Sequence, residues 1–423
     1  MKLKYCRFTA STRMITRPKR LTLVTLTLMA GCLFDPGTGW SAEAPAFFPA
    51  VSALPAQAGL PDPLINADGQ AITTAAQWPA KRERMKAIIQ HYALGRMPPP
   101  PGVVTGKELG TCTVLDGTAT CEVVQLTFGP DAKLGFRTML FIPVETAEHK
   151  APFPVIVHPS FNRELSKDQT TNVLNDIAKT VAQPLRRGMA VMAFWYQQCG
   201  HDKQADYRLT GFFPAYPDYD WGDLAAWAWG MSRCVDYLQT QPFADQTKIM
   251  AVGHSRLGKA TLIAGAFDER FALTAPAGSG CGGTGAYRFN GKGRGGKEGL
   301  EDAMKNFPQW FGPRMTEFCN QVEKLPFDQH WLLALVAPRL CIPADGLSDG
   351  CANGNALAQA YLGAKPVYAL LGAPEHLGIS FRVGGHLLSA EDWDAILDFA
   401  DLHLRQRTIT RSFDQLPAAN LLH

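Results

Sequence analysis

Gly253-His254-Ser255-Arg256-Leu257-Gly258-Lys259 sets a serine between two glycines, with an arginine and a lysine close behind it. An apolar run, residues 249–252, precedes the segment, and a helix-forming run, residues 260–266, follows it. A serine on a sharp strand-to-helix turn is how a hydrolase exposes a nucleophilic hydroxyl. The helix N-terminus behind such a serine favours developing negative charge. The second glycine comes one place later than in a Gly-x-Ser-x-Gly elbow. An ordinary turn with a chance serine has the same appearance, so the partners must decide.

Serine is a weak nucleophile until a base takes its proton and an acid orients that base. In an α/β-hydrolase the chain order is Ser, then Asp or Glu, then His, which places the base late. His386 lies in the glycine turn Gly384-Gly385-His386, just before the last helical run, and is the candidate base. His403 falls inside that helical run, His376 in a loop, and His423 at the chain end. Asp345 and Asp349 both follow the apolar run 340–343, and spacing alone does not choose between them as the acid. Arg256, next to the serine, can stabilise charge that develops only in a transition state. Lys259, four residues beyond Ser255, shares its helical face.

These residues need a rigid frame. From about residue 150 short apolar runs alternate with helical ones: 154–159, 191–196, 249–252, 273–276, 340–343 and 367–371 against helices over 222–240 and 391–404. Such alternation predicts an α/β three-layer sandwich with a mostly parallel central sheet. Before it, residues 78–94 read as a helix ended by four prolines at 98–101, and 133–143 as a strand. The glycine- and base-rich loop 291–296 lacks phosphate-loop spacing.

Asp116-Gly117 is a two-residue hairpin signal. Counting outward from it, Val114 faces Ala119, Thr113 faces Thr120 and Cys112 faces Cys121. The last is a non-hydrogen-bonded pair with Cα atoms about 4.5 Å apart, within reach of a disulfide. The other cysteines beyond residue 42 show no metal-ligand spacing along the chain.

With 46% hydrophobic and only 19% charged residues, the 423-residue chain can bury a large core and is not a disordered polymer. Residues 1–31 carry seven Lys or Arg and no acid, and 21–29 form an apolar stretch too short to span a bilayer, as in an export signal. Two endings compete: Met29-Ala-Gly-Cys32, a lipobox-like run that would lipidate Cys32, and Ser41-Ala-Glu-Ala44, an ordinary cleavage site. The expected organisation is an export segment over 1–42 and a single catalytic domain over 43–423. Without residues 1–31 the net charge moves from +3 to −4, so nucleic-acid binding is not implied.

The chain resembles the bacterial glucuronoyl esterases of carbohydrate esterase family 15. The resemblance is carried by Leu60-Pro-Asp-Pro-Leu64, Gly95-Arg-Met-Pro98, Ala226-Trp-Ala-Trp-Gly-Met-Ser-Arg233 and the serine segment itself. Ser279-Gly-Cys-Gly-Gly283, Asp328-Gln-His330, Ala337-Pro-Arg339, Gly384-Gly-His386 and Asp392-Trp393 complete it. It implies Ser255 as nucleophile, His386 as base, Arg256 at the oxyanion, and Lys259 and Glu298 on the sugar. Fungal members place a glutamate where this chain has Gly278. Asp349-Gly-Cys351-Ala-Asn353 fits the frame in which bacterial members carry an aspartate, which makes Asp349 the acid and Asp345 the reserve. In that frame Cys351 stands for a tryptophan that packs on the sugar. His254 and Leu387 stand where fungal members have a disulfide beside the serine.

The expectation is an exported serine esterase acting on esters of (4-O-methyl-)glucuronic acid in lignin–carbohydrate or glucuronoxylan material, with no cofactor and no metal. The alternatives are an acetylxylan-type esterase on the same triad and a carbohydrate-binding relative with weak turnover.

Overall fold

Among the described residues ten strands form one sheet, and its two halves are built differently. β1 (Thr105–Val114), β2 (Ala119–Phe128) and β3 (Leu134–Pro143) run antiparallel as a meander. β3 then pairs antiparallel with β5 (Ala190–Trp195). From there every pairing is parallel, through β4 (Phe153–Ser160), β6 (Ala244–His254), β7 (Leu273–Ala277), β9 (Ala344–Gly346) and β10 (Ser380–Arg382). The two-residue β8 (Leu340–Cys341) joins β7 beside this path. The coordinates are a computed structural model that describes residues 48–161, 171–291 and 298–422. The expected export segment with Cys32, most of the glycine-rich loop and His423 lie outside the described residues. Among the described residues no helix is long and apolar enough to cross a membrane.

The central strands are apolar on both faces, and their side chains divide by period two. Val155 and Val157 of β4, Met192 and Phe194 of β5, and Ile249 and Ala251 of β6 enter one core. Ile156, Val191, Ala193, Met250 and Val252 enter the other. Helices Trp78–Ile89, Asp223–Leu238, Arg256–Phe267, His330–Val336 and Gly354–Leu370 cover the first face. Helices Thr171–Thr180, Ala182–Arg186 and Ala390–Leu404 cover the second.

The hairpin has the expected register, with Cys112 opposite Cys121. Asp116 and Gly117 both take positive φ, 54° and 94°, as a tight two-residue hairpin turn requires. One expected element is corrected. Residues 367–371, taken with the apolar strand-like runs, form the last turns of the helix Gly354–Leu370. A short apolar run reads alike in a buried strand and a buried helix, and this helix carries Pro366 in its interior.

Several motif residues turn out to be structural. Trp227 donates to Gly200 O at 3.0 Å and Trp229 to Pro98 O at 3.1 Å, while the Arg233 guanidinium lies 4.1 Å above the Trp229 ring. Asp328 is fully buried and pairs with Arg288 at 3.0 Å. It also accepts from the backbone N–H groups of Tyr287 and Gln329. Arg288 in turn gathers the carbonyls of Gln57, Glu323, Leu325 and Phe327, which ties the lead-in segment to the body. Removing one member of such a pair leaves the other charge buried and uncompensated. Asp328→Ala is expected to lower unfolding free energy by about 3–5 kcal/mol, measured by urea denaturation against the wild type.

Candidate active site

Ser255 directly follows β6 and caps the helix Arg256–Phe267 with φ 59° and ψ −129°, a strained conformation for a residue with a side chain. Two glycines make room for it. A Cβ on Gly253 would lie 2.3 Å from Thr261 Oγ1, and one on Gly258 would lie 2.8 Å from Ala277 O. The late glycine is thus a helix residue pressed against the end of β7. The Ser255 N–H donates to Ala277 O at 2.9 Å, which locks the turn to the neighbouring strand.

Ser255 Oγ lies 2.8 Å from His386 Nε2. On the other side of the ring, His386 Nδ1 lies 2.8 Å from Asp349 Oδ2 and 3.0 Å from Oδ1. An ionised carboxylate only accepts, so Nδ1 carries the proton and Nε2 presents its lone pair to the serine. The Asp349 side chain is nearly buried, and its Oδ1 also accepts from Cys351 N at 2.7 Å and Ala352 N at 2.9 Å. Burial pushes its carboxyl pKa up, but the hydrogen bonds from His386 and the two backbone N–H groups outweigh this and hold it below the ordinary value.

Two loops carry Asp349 and His386, and one arginine fastens them. Arg382, at the end of β10, donates Nε to Asp392 Oδ2 at 2.6 Å and Nη2 to Gly385 O at 3.0 Å, with a further contact to Leu387 O. Asp392 also closes the N-terminal capping box of the last helix with Ser389. Backbone bonds Leu347 N to Arg382 O and Ser348 N to Gly384 O join the Asp349 loop to the His386 loop.

Asp345, the other candidate acid, points elsewhere. It is 2% exposed, and neither of its oxygens has a side-chain hydrogen-bond partner. Burial, with the charge of Asp349 nearby, raises its pKa well above the ordinary value. A Cβ built on Gly278 would lie 3.4 Å from Asp349 Oδ2 and 3.0 Å from His254 Nε2. The position with no side chain therefore borders the acid that is present.

Arg256 reaches the same mouth. Its Nη1 pairs with Asp202 Oδ2, and its Nε is buried without a hydrogen-bond partner. Asp202, on the loop after β5, was not singled out by the sequence. Its Oδ2 also accepts from Tyr196 Oη at 3.1 Å, and its Oδ1 accepts from Trp310 Nε1 at 2.7 Å and Gln309 Nε2 at 3.1 Å. Trp310 stacks on Phe307 with centroids 4.0 Å apart, and the Arg256 guanidinium sits about 5 Å from both rings. No sequence spacing links residues 202, 256 and 310; only the fold does.

Lys259 is buried, not solvated. Its Nζ donates to Ser279 O at 2.7 Å and Cys281 O at 2.5 Å and lies 3.5 Å from Glu298 Oε2. The structure thus joins the expected sugar-binding pair, Lys259 and Glu298, the latter two residues past the glycine-rich loop. The set as a whole can deprotonate a hydroxyl, stabilise an oxyanion and hold a polar substrate beside an aromatic wall.

A family model described as "Glucuronyl esterase, fungi" matches residues 138–372. The chain is 32% identical over 395 residues to "Carbohydrate esterase MZ0003" from an unknown prokaryotic organism, spanning 82% of this chain and 89% of that protein. It is 30% identical over 333 residues to "4-O-methyl-glucuronoyl methylesterase 1" of Wolfiporia cocos, spanning 77% of this chain and 75% of that one. Among solved structures, a carbohydrate esterase family 15 glucuronoyl esterase from Caldicellulosiruptor kristjansonii is 30% identical. It covers 85% of this chain and 94% of its own, with a TM-score of 0.70.

His254 lies behind the base, with ring centroids 4.6 Å apart. Burial first, then the proximity of His386, lowers its pKa from 6.5 to about 4. The unfolded chain therefore binds this proton as pH falls through 6.5 while the folded chain resists until about 4. Stability tied to His254 is present above 6.5 and is lost between those limits. His254→Gln is expected to flatten the acid-side fall in unfolding free energy by up to about 1.4 kcal/mol per pH unit. Denaturation midpoints of wild type and variant at pH 7, 6, 5 and 4 read the difference; parallel curves would remove His254 as the cause.

Proposed function

The chain belongs to the glucuronoyl esterases of carbohydrate esterase family 15, enzymes of the α/β-hydrolase fold, and from that premise we propose that Ser255, His386 and Asp349 open an ester of glucuronic acid through an acyl-enzyme. It is a carboxylic ester hydrolase. The observation that carries the reading is the unbroken relay from Ser255 Oγ through both nitrogens of His386 to Asp349, with 2.8 Å at each step.

His386 Nε2 takes the serine proton as Oγ attacks the ester carbonyl. Asp349 keeps the imidazole in the required tautomer and stabilises its cation. Negative charge gathers on the carbonyl oxygen beside the Arg256 side chain and the N-terminus of the helix Arg256–Phe267. Collapse of this intermediate expels the alcohol, which takes the proton from His386. Water then gives a proton to His386 as it attacks the acyl carbon, and collapse of this second intermediate releases the uronic acid while His386 returns the proton to Ser255 Oγ. Asp202 acts through Arg256: it fixes the guanidinium and, through Trp310, the aromatic wall beside it. Lys259 and Glu298 hold sugar hydroxyls, and the 4-O-methyl form is accepted as well as the parent acid. The substrate is uronic-acid-bearing polysaccharide or lignin–carbohydrate material, met after export through residues 1–42, with 43–423 as one catalytic domain.

With benzyl glucuronate as substrate, Ser255→Ala is expected to abolish turnover, at least about 10³-fold in kcat, while Asp349→Asn costs about 10²–10⁴-fold. Full activity in Asp349→Asn would pass the role to Asp345. Faster turnover of acetyl esters than of glucuronate esters by the wild type would favour the acetylxylan reading. Uronoxylan binding with equally slow hydrolysis in wild type and Ser255→Ala would favour a binding protein.

Asp202→Asn removes the charge that holds Arg256 but keeps the shape. A fall of about 10²-fold in kcat with a smaller change in KM is expected if Arg256 serves the transition state; a change in KM alone would confine Asp202 to the substrate wall.

A further inference from the structure

The relay has a neighbour that ester hydrolysis leaves unused. Cys351 Sγ, a carboxylate oxygen of Asp349 and a ring nitrogen of His386 lie within 4.8 Å of one another. Cys351 is an exposed residue and Asp349 a buried one, so the trio lies at the edge of the described surface. The placement is built into the loop: the Cys351 N–H donates to Asp349 Oδ1, which holds the residue against the acid. Along the chain these three residues show no metal spacing, and the fold alone brings them together.

Thiolate, imidazole and carboxylate make the donor set of a borderline-soft divalent cation in tetrahedral coordination, with a fourth position for water. Donors around such an ion stand roughly 3–4 Å apart given bonds of about 2.0–2.3 Å, so shifts of about an ångström would close the set. Hard cations such as Mg²⁺ and Ca²⁺ want oxygen ligands and have no use for the sulfur. We infer that Asp349, Cys351 and His386 form an inhibitory site for a thiophilic divalent cation, with Zn²⁺ as its representative.

The chemistry balances without any redox step. The Cys351 thiol gives its proton to solvent as the metal–sulfur bond forms. If the cation takes Nδ1 of His386, the ring proton moves to Nε2; if it takes Nε2, the lone pair there is consumed. In either case Ser255 Oγ loses its acceptor. The effect on activity rests on the reading of His386 as the base, whereas capture of the cation does not.

Two measurements on the full chain test this. In the first, Zn²⁺ is titrated into thiol-reduced enzyme hydrolysing benzyl glucuronate, each variant being scored against its own metal-free rate. Inhibition is expected in the wild type, reversed by a chelator and not reproduced by Mg²⁺. Cys351→Ser should raise the half-inhibiting concentration about tenfold or more. In the second, Co²⁺ is added to Ser255→Ala and should give a thiolate-to-cobalt charge-transfer band that is absent from Ser255→Ala/Cys351→Ser. Equal Zn²⁺ sensitivity with and without Cys351, or no cobalt–thiolate band, overturns the site. A cobalt–thiolate band that needs Cys351, in a chain whose wild type hydrolyses no glucuronate ester, keeps the site and overturns the esterase reading instead.

Discussion

The backbone of Ser255 is the constraint around which the rest is arranged. Its φ of 59° is a conformation that costs about 1–3 kcal/mol. It persists because β6, β7 and the following helix over-determine it. The serine N–H is bonded to Ala277 O, and the chain on both sides approaches too closely for anything but glycine at 253 and 258. The displaced second glycine is accounted for in this way. What must be small is the helix position that meets β7, and Leu257, in the place of the usual glycine, is wholly buried in the core.

Two positions far apart in the chain meet behind His386. Gly278 and Asp349 lie on different strand ends, yet a side chain at the first would touch the carboxylate of the second. An ionised carboxylate next to His386 needs hydrogen-bond donors to offset its burial. Asp349 has them, from His386 and two backbone N–H groups. Asp345 lacks side-chain donors and is pushed toward its protonated form. Burial without partners disqualifies an acid from orienting an imidazolium, however near it lies.

Much of this was legible in the chain. Glycines around a serine, a glycine turn carrying the late histidine and the Asp116-Gly117 hairpin are local signals with a direct backbone cause. The two aspartates were narrowed to one only by resemblance, because four residues of loop carry no orientation until the loop folds. Asp202 gave no signal at all: apart from Tyr196 its partners lie 54 and more than 100 residues away, and a lone loop aspartate reads as solvated. Residues 367–371 misled because burial on all sides erases the period that separates helix from strand.

The sewing of the acid loop to the base loop has a kinetic side. Arg382 reaches across the base loop to the cap of the last helix, and backbone bonds cross from 347 and 348 to 382 and 384. The Asp349 loop, the His386 loop and the start of the last helix therefore share bonds that must break together for any one of them to open. Under the triad proposed above, such an opening removes acid and base at once rather than leaving a poorly aimed base behind.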